Sequence, residues 1–412
     1  MTQSSQRTRQ VLGGGSSIAV AMGVMNVATY GYTMIAANVL GPQQYGAFAA
    51  LMNVLLVISV VSLGLQATAA RRISADPDHV GQIEAAIMRV TYRASLGLGV
   101  LLLLLAPVVN HVLRLDSLTT AVVLAFAAVP VTVMGGQAGT LQGERRWAAL
   151  AALYLAAGVP RLVLGTALIL WQPTEAWALV GVAVGGCAPV LVGWWALRHQ
   201  RAPGLVSEHH AGRQILRESL HNSQALLAFF ALSNVDIIVA RNVLDEHAAG
   251  LYAGGLILAK AMLFLPQFVV VVAFPSMATA GQARRALTRS LGVVAALGVV
   301  GTLAAWALAD VAIVFVGGAD YAEIKSQLWV FAVLGTLLSM LQLLVYSVLA
   351  RQGQRSVYLV WAALAVLIGV GVTADDLSSL VAIVVAVDAA LLLVLLGINV
   401  YLMRDERAEQ VA

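Results

Sequence analysis

Runs of about 20 apolar residues, each long enough to cross a hydrocarbon core as a helix, recur along the whole chain and are separated by short polar turns. Twelve spans are read, at roughly 17–38, 45–70, 85–109, 118–141, 147–171, 174–197, 218–244, 249–273, 290–310, 325–350, 356–372 and 377–403. Gly41-Pro42-Gln43-Gln44 forms an uncharged turn between the first two, because glycine accepts unusual dihedrals and proline stops the preceding helix. Pro130 with Gly135-Gly136 in the fourth span predicts a kink or a close helix approach. The longest polar connection, Arg198 to Arg217 with Pro203-Gly204, lies at the midpoint and is read as a linker, dividing the chain into lobes at 1–205 and 206–412.

The halves also resemble each other. A shift of 204 positions lays Ile35-Ala36-Ala37-Asn38-Val39-Leu40 on Val239-Ala240-Arg241-Asn242-Val243-Leu244, and Gly46-Ala47-Phe48-Ala49 on Gly250-Leu251-Tyr252-Ala253. Two structural repeats of the same topology leave such a trace. The expected fold class is therefore all-α, a polytopic membrane protein of about 12 helices in two six-helix lobes.

Composition removes the soluble alternatives. Of 412 residues, 60% are hydrophobic and 11% charged, against about 25% charged in an ordinary soluble domain. The charges alternate from loop to loop instead of forming a basic patch, which argues against nucleic acid. Nineteen of the 24 basic residues, from Arg7 to Arg407, fall on one side of the spans, and only Arg114 and Lys325 fall on the other. By the positive-inside rule the richer side is cytoplasmic, with both termini there. The single cysteine, Cys187, is a helix-packing residue with no disulfide partner.

The remaining basic residues, Arg161, Arg241 and Lys260, lie in or at the edge of spans, as do Asp236 and Asp388. A charge at the centre of a membrane helix costs about 2.5–3.5 kcal/mol on insertion scales, so such residues face a bundle interior or a water-filled cavity. Asp236 is the candidate partner for Lys260. Arg161 shares a face with Tyr154 and Gly165, and a salt bridge to another helix is the alternative to a cavity role. Asn26, Tyr30 and Thr33 make a polar stripe on the first span, and Ser339, Gln342 and Tyr346 another on the tenth. Asn399 falls near the face of Asp388. The set Arg161, Arg241, Lys260, Asn26, Tyr30 and Gln342 is read as substrate-binding, with Asp236 and Asp388 as candidates for ion coupling. A carboxylate in low dielectric can hold a proton in one conformation and release it in another, whereas a permanent ion pair would prevent this.

No P-loop is present, so no nucleotide cofactor is expected. All seven histidines lie in loops or at a helix start, which leaves no buried imidazole base. His209-His210 lacks a spaced third ligand and predicts no metal site. No catalytic residue is assigned, and an enzyme is not expected.

Leu40-Gly41-Pro42-Gln43-Gln44-Tyr45-Gly46-Ala47-Phe48 resembles the turn after the first helix in oligosaccharide flippases of the Wzx type, commonly LGPxxYGxF/Y. Asp236, Gly250, Leu251, Tyr252 and Phe274-Pro275 are similar to that family's seventh and eighth helices, although Asp245-Glu246 replaces the Gly-Pro of the first repeat. The resemblance implies a member of the multidrug, oligosaccharidyl-lipid and polysaccharide exporter superfamily, with two lobes around a central cavity. It implies alternating access that moves a polyprenyl-(pyro)phosphate-linked oligosaccharide to the outer leaflet of a bacterial plasma membrane. A monomer working beside glycosyltransferases and a polysaccharide polymerase is the implied setting. The net positive membrane set suits such a head group. The alternative is a cation-coupled drug antiporter of the same superfamily, which commonly relies on a carboxylate in the first helix, where this chain has none. A carrier of the major facilitator type and a membrane scaffold are the remaining readings. The former lacks its signature near Gly64 to Ile73, and the latter gives no reason for buried charge.

Overall fold

Helix follows helix in the computed structural model, which describes residues 2–198, 212–264, 283–350 and 355–411 and contains no strand among them. The expectations for His209-His210 and Phe274-Pro275, and those for the side chains of Tyr346 and Asn399, lie outside what is described. In order the helices are α1 (Thr2–Ala75), α2 (Val80–Leu104), α3 (Ala106–Val112), α4 (Leu118–Gly143), α5 (Trp147–Trp171), α6 (Glu175–Leu197) and α7 (Gly212–Val243). After them come α8 (Glu246–Phe264), α9 (Ala283–Ala307), α10 (Ala309–Val316), α11 (Leu328–Ala350), α12 (Arg355–Gly371) and α13 (Leu377–Val411).

The predicted turn after the first span is a kink and not a loop. Only Gly41, at φ 69° and ψ 173°, leaves helical geometry, and it splits α1 into arms at 2–40 and 42–75. That φ belongs to the region where a Cβ is penalised, and Pro42, lacking an N–H, fits the start of the second arm, where the donor has no helical partner. The two arms with α2, α4, α5 and α6 make six long helices, and α7, α8, α9, α11, α12 and α13 make six more. Nine stretches among the described residues have the length and hydropathy of a span, Ser17–Ala75 counted once, and Val357–Gly371 is a shorter apolar helix. The chain is thus an all-α, polytopic membrane protein. The tenth span opens in 3₁₀ form: Gly318–Gln327 is a 3₁₀ stretch and the α-helix α11 begins at Leu328. At the start of α13, Asp376 Oδ1 accepts from the Ser379 N–H at 2.7 Å and Ser379 Oγ accepts from the Asp376 N–H at 3.1 Å, a reciprocal cap.

The helices group into two compact units, Met1–Leu40 with Val54–Ser223, and Gly41–Asn53 with Gln224–Ala412. In the first, α4 lies on the second arm of α1 through glycines spaced four apart. A Cβ at Gly135, Gly139 or Gly143 would sit 2.2 Å from Ser62 Oγ, 2.4 Å from the Gln66 carbonyl oxygen or 2.7 Å from Ile73 Cβ. Of the two outcomes expected near Pro130, close approach is the one observed in that stretch, the small-residue packing that brings membrane helices together. The start of α7 belongs to this unit because Ile215 packs with Ala69, Ile73, Ile83 and Ile87, and Glu218 accepts from Arg71 and, at 2.8 Å, from Arg72.

In the second unit, segment 41–53 is held by the two repeats meeting at equivalent positions. A Cβ on Gly46 would lie 3.0 Å from Gly250 Cα, and one on Gly250 would lie 2.0 Å from the Pro42 carbonyl oxygen. Gln43 donates to Glu246, and the Tyr45 ring meets Tyr321 edge-on at 6.4 Å. Helix α11 packs on α8, where Ser339 Oγ donates to the Met262 carbonyl at 3.1 Å.

Candidate functional site

The second unit gathers most of the membrane-depth polar residues. Asn234 and Asp236 lie on α7, Tyr252 and Lys260 two turns apart on α8, Asp388 on α13, and Asn53 on the segment contributed by α1. Tyr252 Oη donates to Asp236 Oδ2 at 2.9 Å, and the Ile237 N–H donates to Asp236 Oδ1 at 2.9 Å. Lys260 Nζ donates to Asn53 Oδ1 and, at 3.2 Å, to Asn234 Oδ1. Asn234 is oriented in turn by donating to the Phe230 carbonyl at 2.7 Å and to Ser233 Oγ at 3.0 Å. The pairing expected between Lys260 and Asp236 gives way to this arrangement. The two interact electrostatically, but no carboxylate lies within ion-pairing distance of Lys260 among the described residues. Amides take the ammonium because α7 turns Asn234 toward it, while Tyr252 takes Asp236.

Asp388 is 1% exposed and its Oδ1 has no hydrogen-bond partner among the described residues. It lies within electrostatic range of Asp236 and Tyr252. Two buried carboxylates and a half-buried ammonium thus share one cluster, and one carboxylate oxygen in it has no partner among the described residues. Buried polar atoms are normally partnered, so such an exception points to a strained or ligand-binding position.

The other candidates lie elsewhere. Arg241, 4% exposed, sits in the last turn of α7 with Nη1 3.5 Å from where a Gly46 Cβ would be, and a cation there also offsets the helix dipole. Gln342 is half-buried on α11, one turn beyond Ser339. Asn26, Tyr30 and Arg161 belong to the first unit. Asn26 and Tyr30 are half-buried, and Thr33 of the same stripe bonds back to the Thr29 carbonyl at 3.1 Å. The Arg161 guanidinium stands 5.7 Å from the centroid of the Tyr32 ring, a cation–π distance, while Tyr32 Oη donates to the Ala178 carbonyl at 2.7 Å.

Sequence reasoning overlooked Tyr32, Asn53, Asn234 and Tyr252 as site residues. Tyr32 falls off the polar stripe of Asn26, Tyr30 and Thr33, and Asn53 is a lone amide 207 positions from Lys260. Tyr252 carried a signal, because it lies in the repeat that also holds Asp236 and Lys260.

Long apolar helices in two compact units, with ionisable side chains buried among them, define a polytopic membrane protein. Residues 11–281 match the family model described as "Polysaccharide biosynthesis protein", and the chain belongs to that family. No curated protein matches the chain. Among solved structures, an inward-facing multidrug-resistance MATE transporter of the MOP superfamily is similar at a TM-score of 0.75 and 16% identity, covering 94% of this chain and 96% of that one. A eukaryotic MATE transporter is similar at a TM-score of 0.67 and 14% identity, with 96% of each chain covered. An outward-facing MATE transporter of the same superfamily gives 0.66 and 15%, with 97% of each covered. The fold is that of this transporter superfamily.

Proposed function

We propose that the protein flips a polyprenyl-(pyro)phosphate-linked oligosaccharide from the cytoplasmic to the outer leaflet of a bacterial inner membrane, without chemical change to the cargo. Both termini lie in the cytoplasm, as the distribution of basic residues supports. Glycosyltransferases supply the cargo and a polysaccharide polymerase consumes it. Alternating access operates through the lobes at 1–205 and 206–412, with one copy of the chain sufficient for transport.

The observation that carries this reading is the way Lys260 is held. Amide oxygens satisfy its hydrogen bonds without neutralising its charge. An ammonium about 4 Å from a phosphate oxygen, at an effective dielectric near 20, contributes about 4 kcal/mol before desolvation is charged against it. Arg161 and Arg241 add bidentate donors suited to phosphate. Asn26, Tyr30 and Gln342 supply uncharged contacts to the glycan. The unsatisfied oxygen of Asp388, near Asp236, supports a coupling role in which inward proton or sodium movement drives export.

The test is flipping of a labelled polyprenyl-diphosphate-linked oligosaccharide in proteoliposomes. Lys260→Gln keeps two donors for the asparagines but removes the charge, and should slow flipping at least tenfold; Arg289→Gln, an exposed position on α9, should change it less than twofold. Equal loss at both positions, or undiminished flipping by the Lys260 variant, removes the reading. Asp388→Asn should abolish the response to an imposed ion gradient and leave slow exchange. A full response would pass the coupling role to Asp236.

A further inference from the structure

A second site lies in the first unit, built from residues other than those of the buried cluster. Where the start of α7 packs on α2, a cavity of about 500 Å³ is lined by Arg89 and Arg93 of α2 and Arg213 of α7, with Ala86, Val90 and Leu216 among its apolar walls. The volume falls within the range of small-ligand sites. The two helices are fixed at this point: a Cβ on Gly212 would lie 3.1 Å from Val90 Cγ2, and Ile215 is buried against Ile83 and Ile87.

The arginines are not spent on acidic neighbours. Glu218 accepts from Arg71 and Arg72 instead. None of Arg89, Arg93 and Arg213 has an ion-pair partner among the described residues, and the one recorded hydrogen bond of the three runs from Arg89 Nε to the Ala85 carbonyl at 3.2 Å. Three exposed guanidinium groups around one cavity make an anion site, and their forked donors match phosphate oxygens.

The surface leading away from the cavity narrows the ligand. On the face of α2 that carries Arg93, the residues three, seven and eleven positions on are Leu96, Val100 and Leu104, all exposed apolar side chains, at 66%, 49% and 73%. Cationic groups at one end of an apolar stripe complement an amphiphile with a phosphate head and hydrocarbon tails, and basic pockets between membrane helices hold such head groups.

We infer that Arg89, Arg93 and Arg213 bind the phosphate of an anionic bilayer phospholipid whose acyl chains lie along Leu96, Val100 and Leu104. The site is separate from the cargo site and does not depend on the cargo reading.

The full chain, purified in detergent, is titrated with phosphatidylglycerol or phosphatidylcholine of matched chains, and bound lipid is counted by native mass spectrometry. Phosphatidylglycerol should bind at least tenfold more tightly. Each arginine contributes a factor of about five, equivalent to about 1 kcal/mol, so combining Arg89→Gln, Arg93→Gln and Arg213→Gln should weaken binding on the order of a hundredfold. Arg289→Gln, in the other unit, should leave it unchanged, and lysine at all three positions should retain most of it. Unchanged phosphatidylglycerol affinity in the triple glutamine chain overturns the assignment. Displacement of the lipid by millimolar inorganic phosphate also overturns it, by making the site one for a soluble anion. Should the triple variant not yield folded protein, Arg213→Gln alone is expected to weaken binding about fivefold, and equal affinity there counts against the site.

Discussion

Replacing Tyr252 by phenylalanine takes one oxygen from the buried cluster and leaves its packing in place. The ring of Tyr252 meets Phe331 edge-on at 5.6 Å, a contact that phenylalanine keeps. What is lost is the donor 2.9 Å from Asp236 Oδ2; the Ile237 N–H serves the other oxygen. Stranding a buried acceptor costs about 1–3 kcal/mol. Side-chain hydrogen bonds inside membrane proteins average about 0.6 and reach about 1.7 kcal/mol in double-mutant cycles, because the unfolded chain in the membrane also finds partners. Tyr252 is fully buried and Asp236 is 2% exposed, which places this bond near the upper end, at about 1–2 kcal/mol. The assay is equilibrium unfolding in mixed micelles of the parent, Tyr252→Phe, Asp236→Leu and the double variant. A coupling energy below about 0.5 kcal/mol, the error within which independent sites add, would refute the assigned contact.

Gly250→Ala should destabilise the chain by about 1–3 kcal/mol, since the new Cβ falls 2.0 Å from the Pro42 carbonyl oxygen, whereas Gly97→Ala, with nothing within 4 Å, should be neutral or stabilising; thermal unfolding in detergent compares them. In a Cys187→Ala background, cysteines at Gln43, His247 and Asp375 should react with an impermeant thiol reagent added outside intact cells, and one at Asp78 should not; labelling of Asp78 reverses the orientation. Hydrogen bonds from Ser379 hold the Asp376 carboxyl below its ordinary pKa, so the cap is complete above about pH 3.9 and weakens as pH falls through the lowered value. Hydrogen-exchange protection at the start of α13 should therefore hold down to about pH 3.9, fall below it in the parent, and show no such step in Asp376→Asn.

The helices and the repeat were legible because both are written in local terms. A span needs only a run of apolar residues, and the Gly41-Pro42 break needs only the dihedral habits of two residues. The repeat gave more than its offset, since Gly46 and Gly250, aligned by it, are in contact. The buried charges were legible as exceptions to an apolar background, but their partners were not. A polar side chain in a helix carries no mark of what it will face. Lys260 had Asp236 as the nearest opposite charge inside a span, and the helix geometry gave it two amides instead. Arg161 likewise met the ring of Tyr32, whose neighbours Tyr30 and Thr33 fit the visible polar stripe better. The cavity at Arg89, Arg93 and Arg213 was hidden for the same reason: its arginines count in sequence only toward the basic side of the spans, and the packing of α7 on α2 brings them together.

An amide has no proton to gain or lose at physiological pH. Asn53 and Asn234 therefore offer Lys260 the same lone pairs whatever happens at the neighbouring carboxylates. Under the proposed mechanism, a proton or sodium ion arriving at Asp388 or Asp236 breaks no bond of the ammonium. The coupling ion and the cargo communicate through the electric field in a medium of low dielectric, without a linkage that must be made and remade at each cycle. Such a coupling is graded by distance and charge, so neutralising a carboxylate should retune the affinity for an anion while the amide cage around Lys260 stays as it is.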